Sequence, residues 1–200
     1  MNEKVRKLVT MAMLAALSIV LVYVIHFPIF PAASFLEYDP ADIPILIGTF
    51  AYGPLAGVLL TVVVSVIQGM TVSSGSGLMG IAMHIFATSI LVLVAGNIYR
   101  VKHTKKGAVL ALICGVLAMT AGMVVFNYFI TPDLADTAAV AANREFVKTL
   151  LVPVIVPFNL IKAGVNSVVT FLVYKTVSRH LVHGENWKKE PGVKQAQPEQ

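Results

Sequence analysis

The sequence predicts an all-α integral membrane protein: a six-transmembrane-helix bundle with a short second helix and both termini cytoplasmic. Three observations carry this. The 200 residues are 57% hydrophobic and 12% charged, with mean hydropathy +0.81, whereas a soluble chain is roughly 45–50% apolar and about 25% charged. The apolar residues form six long segments with the charges clumped between them. The basic residues collect at alternate segment ends, as the positive-inside rule requires. A water-soluble enzyme, a secreted disulfide domain and a nucleic-acid-binding domain are excluded. The net charge of +5 reflects cytoplasmic flanks, and the lone Cys114 reads as core packing.

The first segment, Leu8–Ile25, follows Lys4, Arg6 and Lys7. It is longer than a typical signal h-region and reads as a retained helix. An irregular stretch with Phe27, Pro28, Phe30, Pro31 and Phe35 comes next. The second segment opens at Asp39-Pro40-Ala41-Asp42. Asp39 can cap a helix, Pro40 suits its first turn, and Asp42 suits its positive end. It stops at Gly53-Pro54, after about 21 Å of helix, short of the ~30 Å hydrocarbon core. The third segment is Leu55–Met70, and Thr71–Gly77 reads as a flexible polar loop. The fourth is Leu78–Tyr99 and the fifth Ala108–Ile130. The connection Thr131–Lys148 holds an alanine-rich piece that suits a short surface helix, and the sixth segment is Leu150–Val177. Residues 1–180 form a single membrane domain, and 181–200 read as a polar, disordered cytoplasmic tail.

With six spans and the N-terminus inside, the inner flanks carry Lys4, Arg6, Lys7, Arg100, Lys102, Lys105, Lys106, Lys175, Arg179, Lys188, Lys189 and Lys194. The outer connections carry only Arg144 and Lys148, beside Glu37, Asp39, Asp42, Asp133, Asp136 and Glu145. Removing one span would put a basic cluster outside.

Lys162 is the most informative residue. It lies within the sixth span, where a charged lysine costs about 2.5–3.5 kcal/mol and usually faces a cavity or a partner. Asn159, Lys162 and Asn166 share one helical face. A purely structural role would pair Lys162 with Glu37 or Asp42. Asn127, near the outer end of the fifth span, offers a donor and an acceptor at the level of Asn159. Glu37 and Tyr38, amid Phe27, Phe30 and Phe35, suit either an interfacial belt or a lid over a flat heterocycle. Gln68 and His84 are two further polar side chains within spans, held in a second tier. Ala12 and Ala16, and likewise Gly53 and Gly57, make small-xxx-small pairs that permit close helix approach. Nucleotide-binding, zinc-protease and nucleophile-elbow motifs are missing from the sequence.

The stretches FLEYDPADIPILIGTFAYGPLAGV (35–58), MHIFAT (83–88), VVFNYFITP (124–132) and VPFNLIKAGVNS (156–167) carry a resemblance over roughly residues 8–178. The chain resembles the substrate-binding subunits, or S components, of energy-coupling-factor (ECF) vitamin transporters, and within them the riboflavin-specific branch. The resemblance implies a six-helix membrane protein of a prokaryotic plasma membrane that is not an enzyme. It implies a vitamin held near the outer face under the first outer loop. The implied partners are a transmembrane coupling subunit and two ATP-binding subunits, with Ala12 and Ala16 packing against the coupling subunit. Glu37, Asn127, Asn159 and Lys162 correspond to ligand contacts, and Tyr38, Asp42 and Asn166 join them as candidates. Riboflavin is then substrate, with no cofactor, metal or nucleic acid implied. An S component for another vitamin, such as thiamine or biotin, is the alternative, and a membrane-embedded enzyme using Lys162 or His84 is a weaker one.

Overall fold

The computed structural model describes residues 2–30, 33, 36–74, 77–131 and 140–177, with backbone alone for 140–144 and 175–177. Helix α1 spans Glu3–Val24, α2 Asp42–Tyr52, α3 Pro54–Met70, α4 Gly77–Val101 and α5 Lys105–Phe129. Helix α6 spans Val140–Leu150, and a π-helical turn, Leu151–Ile155, leads into α7, Val156–Val177. Two short strands, β1 (Phe27–Pro28) and β2 (Glu37–Tyr38), pair antiparallel between α1 and α2.

Helix α2 is the centre of the bundle. Its residues from Asp42 to Phe50 are all buried, because Ile43, Pro44, Ile45, Leu46 and Ile47 leave no polar face to turn outward. It packs against α1, α3, α4 and α7, while α3, α4 and α5 follow one another round the outside and α5 meets α7. Leu14 of α1, Ile43 and Ile47 of α2 and Val169 and Val173 of α7 make one apolar cluster. The helix has 11 residues, about 16 Å, shorter than its first-turn residues suggested. Ala41, not Asp39, occupies the N-cap.

The turn into α3 needs glycine. Gly53 sits at φ 93°, a region that side chains other than glycine's rarely adopt. One turn on, a Cβ at Gly57 would fall onto the Thr49 side chain and lie 3.0 Å from Val92 Cβ. That absence of a side chain lets α2, α3 and α4 meet.

Among the described residues, α1, α4, α5 and the stretch Glu145–Tyr174 are long and apolar enough to cross a membrane; α2 and α3 are apolar but shorter. Only 28–39% of each long span is buried, so most of its apolar side chains face outward, as lipid requires and water does not. Inside, Thr49, Thr61, Ser65, Thr120 and Thr170 each donate to a carbonyl one turn back on their own helix. Their hydroxyls are therefore satisfied without a partner helix. The last span departs from a single uninterrupted helix. Pro153 lies within the π-helical turn, where its missing N–H cannot join the regular ladder. The expected short helix in the connection is present as α6, though residues 132–139 and the tail lie outside the described residues.

Candidate functional site

One end of the bundle holds a cavity of about 560 Å³. Its wall combines the start of α4, the ends of α3 and α5, the entry to α7 and the segment before α2. This is the end opposite the α1 N-terminus and the α4–α5 turn. Met79, Met83, Ala87, Met119, Met123, Ile155 and Phe158 supply apolar surface, and Glu37, Asp39, Gln68, His84, Asn127, Asn159 and Lys162 supply polar groups. An apolar enclosure with a few converging polar groups is the usual form of a small-molecule site.

Lys162 Nζ donates to Asp39 Oδ2 at 2.7 Å, with both side chains buried. The partner is neither Glu37 nor Asp42. Asp39 is bonded from several sides: Gln68 Nε2 donates to Oδ2 at 3.2 Å, Ala41 N to Oδ1 at 3.1 Å, and Asn166 Nδ2 to its carbonyl at 3.0 Å. Burial opposes its charge, but the Lys162 ammonium, with the hydrogen bonds from Lys162 and Ala41, outweighs that and holds the carboxyl at about 2. The pair leaves Lys162 on the cavity wall, so it is a built-in counter-charge at an open site.

Asn166, Asp42 and Tyr38 form a second layer. Asn166 Nδ2 donates to Asp42 Oδ2 at 3.1 Å, Tyr38 Oη donates to Asn166 Oδ1 at 3.0 Å, and Thr88 Oγ1 donates to Asp42 Oδ1 at 2.7 Å. Burial raises the Tyr38 phenol, and Asp39 and Asp42 raise it further, which keeps it a donor. These three residues do not line the cavity. They fix the Asp39 backbone and the start of α2, where the first-turn position of Asp42 also suits a carboxylate.

On the α5 and α7 side, Asn127 and Asn159 each spend one amide hydrogen on a carbonyl one turn back, Met123 and Ile155, both at 2.8 Å. That fixes the two amides and leaves each a second N–H. Asn159 draws on a carbonyl of the π-helical turn, so the irregular backbone positions the side chain directly. Thr131 Oγ1 donates to Asn127 Oδ1 at 3.2 Å.

The lid departs from expectation too. Leu36 and Glu37 reach the cavity, whereas Phe27 and Phe30 do not, and Phe35 lies outside the described residues. Phe27 instead rests against Tyr38 with ring centroids 5.4 Å apart, on the β1–β2 ribbon. Ala12 and Ala16 lie on the exposed face of α1, and half-buried Cys114 is not a full core residue. Asp39 is the cavity-lining residue that sequence reasoning did not place at the site. The signal that could have revealed it was a single intramembrane lysine in need of a counter-charge.

Residues 6–174 match the family model described as "ECF transporter, substrate-specific component". The chain is 31% identical over 182 residues to "Riboflavin transporter FmnP" of Bacillus subtilis (strain 168), covering 86% of this chain and 91% of that protein. It is 33% identical over 180 residues to "Riboflavin transporter RibU" of Staphylococcus aureus (strain TCH60), covering 88% and 92%. A solved structure described as the S component of a bacterial ECF transporter superposes with TM-score 0.74 at 30% identity, over 88% of this chain and 96% of that one.

Proposed function

We propose that this chain, which belongs to the family of substrate-specific components of ECF transporters, is the subunit that captures riboflavin from outside the cell and delivers it to an ATP-driven energising module. The carrying observation is the cavity that brings Lys162, Asn159 and Asn127 together against apolar walls. Riboflavin offers a flat tricyclic ring for the apolar walls and a carbonyl–NH–carbonyl edge. The fixed amides of Asn127 and Asn159 match such an edge with donors and an acceptor. Lys162 donates to a ring carbonyl or nitrogen, and Glu37, at the mouth, accepts from the hydroxylated side chain. Two relatives similar over most of their length are riboflavin transporters, which supports this vitamin over thiamine or biotin.

In this reading α1 to α5 and the last stretch make six crossings of a prokaryotic plasma membrane, with both termini cytoplasmic. The basic clusters around Arg6 and Arg100 then lie inside and the cavity opens outside. The energising module comprises a transmembrane coupling subunit and two ATP-binding subunits, and Ala12 and Ala16 pack against the coupling subunit. The test is the protein purified in detergent from riboflavin-fed cells. The expected result is a yellow preparation whose flavin is displaced by riboflavin and not by thiamine or biotin. A colourless protein that takes up no flavin on titration would overturn the reading.

A further inference from the structure

Among the described residues, two buried polar atoms in the cavity wall have no hydrogen-bond partner: Gln68 Oε1 and His84 Nε2. Buried polar atoms are nearly always paired, so two on one wall call for an explanation. The orientation of the Gln68 amide is fixed by chemistry. Its nitrogen faces Asp39 Oδ2 at 3.2 Å and Ser73 Oγ at 3.4 Å. An ionised carboxylate only accepts, so the NH2 must face Asp39 and the carbonyl oxygen must face away. His84 is fixed in a similar way. Ser65 Oγ donates its one hydrogen to Thr61 O at 2.6 Å, so the hydrogen shared with His84 Nδ1, also at 2.6 Å, belongs to the imidazole. The neutral ring then carries a lone pair on Nε2. Asp42 Oδ1, at 3.8 Å from Nε2, is beyond hydrogen-bond reach and is itself an acceptor.

We infer that Gln68 and His84 are specificity-determining residues: a pair of acceptors on the α3–α4 wall that reads two hydroxyl donors of the ligand's polyol chain. This rests on the riboflavin reading and assigns the opposite wall, α5 and α7, to the ring. Asp39 serves both walls, holding Lys162 for one and the Gln68 amide for the other. A ligand with a methyl group at that place would bury both acceptors unsatisfied, and such a site rejects an analogue lacking the donor far more strongly than a greasy slot rejects a missing methylene.

The test compares riboflavin with lumiflavin, which has the same ring and a methyl group for the ribityl chain, by fluorescence quenching on the purified protein. Wild type is expected to bind riboflavin at least about tenfold more tightly than lumiflavin. Gln68→Met and His84→Phe are each expected to weaken riboflavin by about tenfold or more and lumiflavin by several-fold less, so the preference falls. Using two ligands on one variant separates lost recognition from lost fold, and His84→Phe decides the matter if Gln68→Met proves unstable. Equal weakening of both flavins, or an unchanged preference in both variants, would overturn the inference. Failure of wild type to bind either flavin would instead overturn the riboflavin reading itself.

Discussion

Lys162 and Asp39 meet at 2.7 Å where water is scarce, and each makes the other tolerable. Removing one partner strands a buried charge, at a typical cost of about 3–5 kcal/mol. Lys162→Met and Asp39→Asn should therefore each lower the melting temperature in detergent, and the double variant should recover much of the loss. A double variant no better than the worse single one would show that the pair is not coupled. Acid probes the same contact. The folded carboxyl is held at about 2, against 3.8 for the free group. A depressed carboxylate stabilises fully above its unfolded value and loses that contribution as pH falls through the folded one. The stability gap between wild type and Asp39→Asn should stay constant from pH 7 to about 4.5 and shrink between about 4 and 2; a gap that widens with acid would contradict this. Lys162, Asn127 and Asn159 were legible in the sequence because amides and ammonium groups are rare at bilayer depth. Asp39 was not, because an acid beside Pro40 reads equally well as a helix cap. Only the fold turns it toward the lysine.

At the scale of elements, the short second helix was legible from length arithmetic and its unbroken apolar run. Its place at the centre was foreshadowed only by the lack of a polar face. The pair Gly53 and Gly57 was a weak signal that the structure resolves into two jobs, a turn at φ 93° and a helix crossing. Gly57→Val should destabilise the protein by about 1–3 kcal/mol through overpacking against Thr49 and Val92. Gly164→Ala in α7, where no described residue lies within 4 Å of the added Cβ, should be neutral or stabilising by up to about 1 kcal/mol. Thermal unfolding of the two variants checks this, and equal losses would show that the crossing is no tighter than an open helix face. The π-helical turn was not legible. Pro153 and Pro157 mark an irregular entry to α7, but periodicity alone does not distinguish a kink from a widened turn. Its consequence is local: the Ile155 carbonyl it positions holds the Asn159 amide.

For the whole molecule, composition suffices to read a multi-span membrane bundle, because lipid constrains every turn of every span, and the basic flanks carry the proposed orientation. Exposed Ala12 and Ala16 on α1 bear on assembly, and Ala12→Glu/Ala16→Glu should abolish uptake in cells while sparing riboflavin binding by the purified protein. Normal uptake by that variant would remove α1 as the contact with the coupling subunit. In the proposed function the buried ammonium and amides at the cavity wall hold a flavin, beyond holding the bundle together. The most direct measurement is a riboflavin titration, by fluorescence quenching, of wild type beside the Asp39→Asn/Lys162→Met double variant, whose fold is checked by its melting curve. Saturable one-to-one binding in wild type, lost or weakened at least about a hundredfold in the folded double variant, is the expected result. Equal affinity in the two proteins would contradict the account and leave the ion pair a structural tie.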